Sequence, residues 1–244
     1  MTETTDVCIV GGGVAGLTAG TFTARHGLET TVVSDGESLL RRNAHLENVP
    51  GFPAGVNSRL FLDMLADQAE RAGCSFREGE VTEVSVDEEG FAVETAAGDQ
   101  LWADHVIAAT KNEVDYLRGI DGVGFVDRGK TYVDTDERGR TGVDGLYAAG
   151  RLAEKSHQTA VCAGHGAEVG VTLLEADDRP FYHDWVAPEG YFTDRGRDVP
   201  PGCAEIDDEE RRARERESMD AMRDYFAEPH PDAPTQHPSV ADED

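Results

Sequence analysis

Gly11, Gly13 and Gly16 in the stretch Ile9-Val10-Gly11-Gly12-Gly13-Val14-Ala15-Gly16 are the residues of this chain whose chemistry is easiest to state. They follow a β-branched run and open a helical pattern. In such a strand–turn–helix unit the first glycine makes the turn and the second lets backbone approach a pyrophosphate. The third lets the helix pack against the strand. Val14 and Ala15 begin a helix predicted over 14–26, whose free N–H groups and positive dipole end face the phosphates. Gly27 stops that helix. A second strand is predicted over 30–33, and Asp35 follows it, about twenty residues beyond the glycines, where an acid that binds ribose hydroxyls is expected.

Further candidates lie downstream. Arg41, Arg42 and Asn43 sit in a loop where a guanidinium would neutralise phosphate, the alternative being ordinary solvated arginines. Cys162, on a helix predicted over 158–175, is either a redox thiol, which needs a low pKa and access, or a small buried residue. His157 titrates near neutrality and is placed to steer a proton. The other histidines have unrelated spacings, so no metal site is expected. Four cysteines, Cys8, Cys74, Cys162 and Cys203, form no Cys-x-x-Cys pair, which argues against a disulfide framework or a zinc knuckle.

Four more segments complete a family pattern: 47–53 (Glu-Asn-Val-Pro-Gly-Phe-Pro), Ala109-Thr110, 145–150 (Gly-Leu-Tyr-Ala-Ala-Gly), and 157–160 (His-Gln-Thr-Ala) leading to 163–166 (Ala-Gly-His-Gly). With the glycine unit, and in this order over about residues 5–176, they resemble the FAD-binding part of the thioredoxin reductase family. The resemblance implies an α/β fold: a glutathione-reductase-type FAD/NAD(P)-binding Rossmann-like domain with a parallel sheet, a β-meander and a C-terminal helical or irregular appendage. It implies FAD as cofactor, with Asn48 reaching the flavin ring and Val81 near the adenine. It places Thr110 and Gly150 at the cofactor, and backbone N–H groups of Gln158 and Thr159 on the pyrimidine side, where they would stabilise negative charge.

The departures from that pattern shape the functional expectation. A bridge of about residues 111–130 stands where the family inserts an NADPH-binding domain, and no second glycine fingerprint occurs. The family's Ala-Thr-Gly is here Ala109-Thr110-Lys111. Its ribityl-binding Asp after Gly150 is Arg151, which cannot accept a hydroxyl hydrogen bond but would pair with the pyrophosphate. The expectation is an FAD-dependent oxidoreductase moving electrons between an unidentified donor and acceptor, a redox partner protein or a small molecule. The alternatives are a non-catalytic FAD-binding subunit or redox sensor that docks a partner, and a degenerate domain that binds no nucleotide. A homodimer is a family expectation.

Beyond the glycine unit, a shaped Pro/Gly loop precedes a helix capped at Asn57 or Ser58 and stopped by Gly73. Strands are predicted over 81–86, 91–95 and 101–109, forming a meander hung on the parallel sheet, with turns at Glu89-Gly90 and Gly98-Asp99. Another strand is predicted over 131–133. The glycines 164, 166 and 170 of the following helix permit close approach to the sheet or to a cofactor. Residues 1–176 make the FAD-binding domain. Residues 177–228 carry aromatics (Phe181, Tyr182, Trp185, Tyr191, Phe192) and a helix opened by Asp207, with an apolar stripe of Met219, Met222 and Phe226. An acidic tail, 229–244, is expected to be disordered.

Composition bounds the setting. The chain has 244 residues and a net charge of -27, and its lysines are Lys111, Lys130 and Lys155 alone. Self-repulsion of that size is relieved when the Debye length shrinks to ~3 Å at molar salt, which predicts a protein adapted to a very salty cytoplasm. Nucleic acid and anionic membrane are poor partners for such a charge. No apolar run reaches the ~18 residues of a membrane span. The acidic N-terminus leads straight into the first strand, so no signal peptide is expected.

Overall fold

The computed structural model describes residues 3–36, 38–87, 90–177, 179–180 and 183–237. Glu89 of the expected turn, Phe181 and Tyr182 of the aromatic segment, and 238–244 of the tail lie outside the described residues. Two units separate, a larger one that runs to Leu173 and resumes at Asp232, and a smaller one spanning Leu174–Pro231.

The larger unit starts with β1 (Glu3–Val10). Val7, Cys8, Ile9 and Val10 are all buried, as befits the centre of a parallel sheet covered on both faces. α1 (Val14–Arg25) begins at Gly13, and Gly27 ends it with φ 90°. β2 (Thr30–Ser34) pairs parallel to β1. α2 (Ser58–Ala72) is capped by Asn57, whose side-chain oxygen accepts from the Arg59 and Leu60 amides at 2.9 and 3.2 Å, and it stops at Gly73, φ 111°. β3 (Ser75–Glu78) adds an edge strand beside β2 that the sequence pattern did not announce. Its exposed residues carry no alternation, and it exists because β2 offers an open edge.

β4 (Val81–Asp87) and β5 (Gly90–Thr95) are antiparallel, and β6 (Gln100–Ala108) joins the hairpin to the parallel sheet. Along β6, Leu101–Ala103 pair antiparallel with β5 while Val106–Ala108 pair parallel with β9 (Leu146–Ala148). The meander's third strand and the buried parallel strand are thus one strand. The sheet runs β3-β2-β1-β6-β5-β4, with β9 beside the second half of β6.

The bridge between β6 and the next strand is part of the core. It buries Val114, Tyr116, Leu117 and Ile120, and a 3-10 turn over Asp115–Leu117 folds them against Val84, Phe91 and Leu146. β7 (Phe125–Asp127) then pairs antiparallel with β8 (Thr131–Val133), so the strand expected at 131–133 forms on its own ribbon outside the main sheet. α3 (Thr159–Ala176) closes the unit. A Cβ at Gly166 would overlap the Ala15 carbonyl, and one at Gly170 would come within 3.0 Å of Phe22 Cβ. Gly166 and Gly170, expected to approach the sheet or a cofactor, instead bring α3 onto α1, while Gly164 faces open space.

The smaller unit holds β10 (Trp185–Pro188) and β11 (Cys203–Ile206), paired parallel, and α4 (Asp208–Tyr225). Trp185, Tyr191 and Phe192 pack edge-to-face, with centroids 4.7–5.4 Å apart. The Glu205 carboxylate gathers the amides of Gly190, Phe192 and Thr193 and the Thr193 hydroxyl. The Asp207 side chain accepts from the Glu210 amide at 2.8 Å, making the N-cap the sequence predicts.

Candidate functional site

The parallel strands set the site. Val10 lies beside Val33 on one side and Ala108 on the other, and Ala108 lies beside Ala148. The C-terminal ends of β1, β2, β6 and β9 therefore share one edge. Chain order reverses about β1, because β2 lies on one side of it and β6 on the other. This is the crevice where open α/β sheets bind ligands. Gly11, Asp35, Thr110 and Gly150 are the residues these strands deliver there.

Local sequence explains the shape of the crevice. Gly11 has φ 113°, its N–H donates to the Val33 carbonyl at 2.8 Å, and a Cβ on it would sit 2.8 Å from the Ala109 carbonyl oxygen. Only glycine fits this turn. A Cβ at Gly16 would overlap the Gly11 carbonyl and press on Ile9, so this residue sets the approach of α1 to β1. Gly13 differs. Its φ of -88° suits any residue, and a Cβ there would meet nothing nearer than Ser38 Oγ at 3.7 Å. The space over Gly13 belongs to the cavity, and the N-terminal amides of α1 open onto it.

That cavity, about 950 Å³, is lined by Gly11, Gly13, Val14 and Ala15 at the helix mouth and by Asp35, Asn43 and Val81. Asn48, Gln158, Thr159, His157, Cys162, Thr110 and Arg151 line it as well. Gly16, Arg42 and Gly150 are not among its lining residues. Gly16 and Gly150 sit just behind the wall as packing residues: a Cβ at Gly150 would come within 2.6 Å of Ala15 Cβ. Arg42 is exposed. Arg41 turns to Asp63, with a 3.1 Å ion pair.

Asn48 and Gln158, 110 residues apart, meet with Asn48 Nδ2 donating to Gln158 Oε1 at 2.8 Å. The Gln158 amide is already used, donating to the Ser156 carbonyl at 2.7 Å, so of the two amides expected to face the ring the one at Thr159 opens α3. The Thr110 hydroxyl donates to the Glu113 carbonyl at 2.7 Å and shares a 2.9 Å hydrogen bond with Tyr116.

Arg151 is held on three sides. Its guanidinium stacks 4.8 Å from the Tyr132 ring centroid, donates to the Tyr132 hydroxyl at 2.5 Å, and donates to the Lys155 carbonyl at 3.1 Å. Cys162 is buried, its thiol directed at the Ser156 carbonyl at 3.6 Å, and burial pushes its pKa up, so the thiolate that redox chemistry needs is disfavoured. His157 has its pKa lowered by burial and then by Arg151, Lys111 and Lys130.

Lys111 is a cleft residue that the glycine and acid pattern did not point to. It lines the cavity with a left-handed backbone, φ 66°, rare for a side chain of this length. The signal was present, since it is one of only three lysines and stands where the family pattern has glycine.

These features fit FAD. The open space over Gly13 would accommodate a pyrophosphate, and Asp35, which also lines the cavity, is of the type that would accept from ribose hydroxyls.

Comparison with known proteins agrees. The FAD binding domain family matches residues 6–45. The thioredoxin reductase of Rickettsia felis is 31% identical over 119 residues, which are 48% of this chain and 38% of that protein. The ferredoxin–NADP reductase of Levilactobacillus brevis is 30% identical over 173 residues, 68% of this chain and 48% of that protein. The chain thus spans less than half the length of these curated relatives. In fold, a thioredoxin reductase from Gloeobacter violaceus superposes with a TM-score of 0.64 at 17% identity, covering 76% of this chain and 99% of that one. A ferredoxin-flavin thioredoxin reductase from Clostridium acetobutylicum gives 0.62 at 15% identity, covering 72% and 98%. Sequence, fold and crevice together identify the chain as a thioredoxin reductase-like FAD-binding protein.

Proposed function

We propose that the chain is an FAD-dependent oxidoreductase that moves electrons between a donor and an acceptor reaching the cleft from outside. It works without an inserted NADPH domain or a Cys-x-x-Cys of its own. The observation that carries this reading is the room over Gly13, where an added Cβ would meet nothing nearer than Ser38 Oγ at 3.7 Å, at the edge shared by four parallel strand ends. The amides of α1 would hold the pyrophosphate, Asp35 the adenosine ribose, and Val81 would flank the adenine. The Asn48–Gln158 pair and the Thr159 amide would orient the ring. When bound, FAD supplies the redox chemistry, and the protein supplies position and electrostatics. No side chain of the cleft is needed as a nucleophile, in keeping with the raised pKa of Cys162. The donor is a partner protein, a small reductant, or a nicotinamide bound directly in the cleft. Four free cysteines suit a reducing cytoplasm.

A second reading, a redox sensor or non-catalytic FAD-binding subunit that docks a partner, is favoured by the exposure of Met219, Met222 and Phe226 on α4 and at its end. One experiment separates the two. The purified chain, saturated with FAD in molar KCl, is photoreduced without oxygen and mixed with candidate acceptors. Rapid, saturable reoxidation is expected for the enzyme. A chain that takes up FAD but reoxidises no faster than free flavin is the sensor, and a chain that stays colourless in excess FAD ends both readings.

A further inference from the structure

The chain carries 49 carboxylates against 22 Lys and Arg, yet two of those cations, Lys111 and Arg151, line the cleft just beyond the paired strands β6 and β9. The groups whose charge acts on the His157 imidazole are Arg151, Lys111 and Lys130, cations all. Lys111 in turn lies in the field of Lys130, Arg42 and Arg151, with Glu113 opposing them. Burial and these neighbours pull the Lys111 ammonium below the usual lysine pKa.

Lys111 and Arg151 each lie three residues beyond the paired Ala108 and Ala148, and Lys130 stands two residues before Tyr132, on which Arg151 stacks. Lys111 follows β6 in a left-handed backbone. Lys130 closes the β7–β8 turn, its carbonyl accepting from the Arg128 amide at 3.0 Å. Arg151 leaves β9 and is fixed by Tyr132 of β8. Among the described residues neither Lys111 nor Lys130 forms an ion pair. Arg151 uses two of its five donors on Tyr132 and Lys155, which leaves three. Like charges gathered this way raise the free energy of the empty site, and an anion lowers it. The α1 mouth, where Gly13, Val14 and Ala15 line the cavity, would serve the cofactor's own phosphates.

We propose that Lys111, Lys130 and Arg151 form an anion subsite beside the α1 mouth, which takes an oxyanion, phosphate or carboxylate, of a second small-molecule ligand. The proposal rests on the FAD reading in that the second ligand lies against the bound cofactor. The same chemistry would also serve the cofactor's own pyrophosphate, and the two sources are separable.

Inorganic phosphate is titrated into the chain at constant ionic strength, replacing KCl, once with FAD bound and once without. The readout is the His157 imidazole proton resonance, assigned by its loss in His157→Gln. FAD retention is measured separately by filtration. A saturable shift is expected in both states. In the pair of substitutions Lys111→Gly and Lys130→Gln the midpoint should rise at least tenfold, with FAD retention changed less than threefold. Lys111→Gly also relaxes the left-handed backbone, and a Lys130→Gln single variant supplies an independent arm on an exposed residue. A shift confined to the FAD-free chain, or FAD retention falling tenfold in the variants, assigns the cations to the cofactor's phosphates and overturns the proposal. An absent or unsaturable shift also overturns it. A chain that takes up no FAD while His157 still shifts saturably upholds the anion subsite and removes the cofactor reading instead.

Discussion

Gly13 and Gly16 belong to one motif but answer to different forces, and that difference makes a test at the level of single residues. At Gly16 a methyl group would collide with the Gly11 carbonyl and with Ile9, so the fold itself demands glycine. At Gly13 the backbone is extended and the nearest atom to an added Cβ is Ser38 Oγ at 3.7 Å, so nothing in the protein demands it. What remains is a ligand. Gly13→Ala should leave thermal stability unchanged to within about 1 kcal/mol, since alanine restricts the unfolded chain at little native cost. FAD retention should fall at least tenfold. Gly16→Ala should destabilise by about 1–3 kcal/mol through overpacking. Denaturation curves and retained flavin absorbance measure both variants. A Gly13→Ala protein that holds FAD as firmly as the parent would sever the link between the cradle and the pyrophosphate.

Elements add what single residues cannot show. α3 touches the crevice wall through His165, a buried imidazole whose Nδ1 accepts the Gly150 amide at 3.0 Å and is therefore unprotonated. Burial, then the Lys155 charge, lowers its pKa. A histidine with a depressed folded pKa contributes stability that is complete above the unfolded value, ~6.5, and erodes as pH falls below it, because the unfolded state gains a proton first. His165→Gln lacks this proton, so the parent should lose stability relative to the variant below pH ~6.5, by at most ~1.4 kcal/mol per pH unit. Paired denaturation curves across that range measure the difference, and parallel curves would mean that the latch carries no titration.

The same helix shows what was readable in the sequence. The glycine stops of α1 and α2 and the capping residues of α2 and α4 act locally and could be read directly. That Gly166 and Gly170 face α1 rather than the sheet could not be, because a small residue announces closeness and not the partner. β3, β7, β10 and β11 escaped notice for the complementary reason: their residues lack alternation, and each is a strand only because a neighbour offers an edge. In the crevice, the glycine turn and Asp35 could be placed from spacing alone. The Tyr132–Arg151 stack could not, since it needs the β7–β8 ribbon folded back beside β9.

At the scale of the whole molecule the decisive quantity is the net charge of -27. Two electrostatic effects oppose each other. The exposed ladder of α4, with Arg212 on Asp208 at 2.7 Å and Arg211 on Glu215 at 2.6 Å among its pairs, gains stability that salt erodes. Exposed pairs of this kind each contribute little. Repulsion among the excess carboxylates acts over the whole chain and is cut as the Debye length falls from ~10 Å at 0.1 M salt to ~3 Å at 1 M. The second effect should win. The melting temperature should climb by roughly 10 °C between these concentrations of KCl, a few kcal/mol for a chain of this size. KCl is preferred to sulfate because sulfate would strengthen apolar burial by itself, and a sucrose control isolates general exclusion effects from screening. The α4 ladder should move the opposite way: hydrogen exchange of its amides should quicken with salt while that of the β1 and β6 amides slows. A melting temperature that falls steadily with KCl would mean that attractive pairs outweigh the excess carboxylates. The cations around Lys111 would then be one half of an attractive network rather than an exception in a repulsive one.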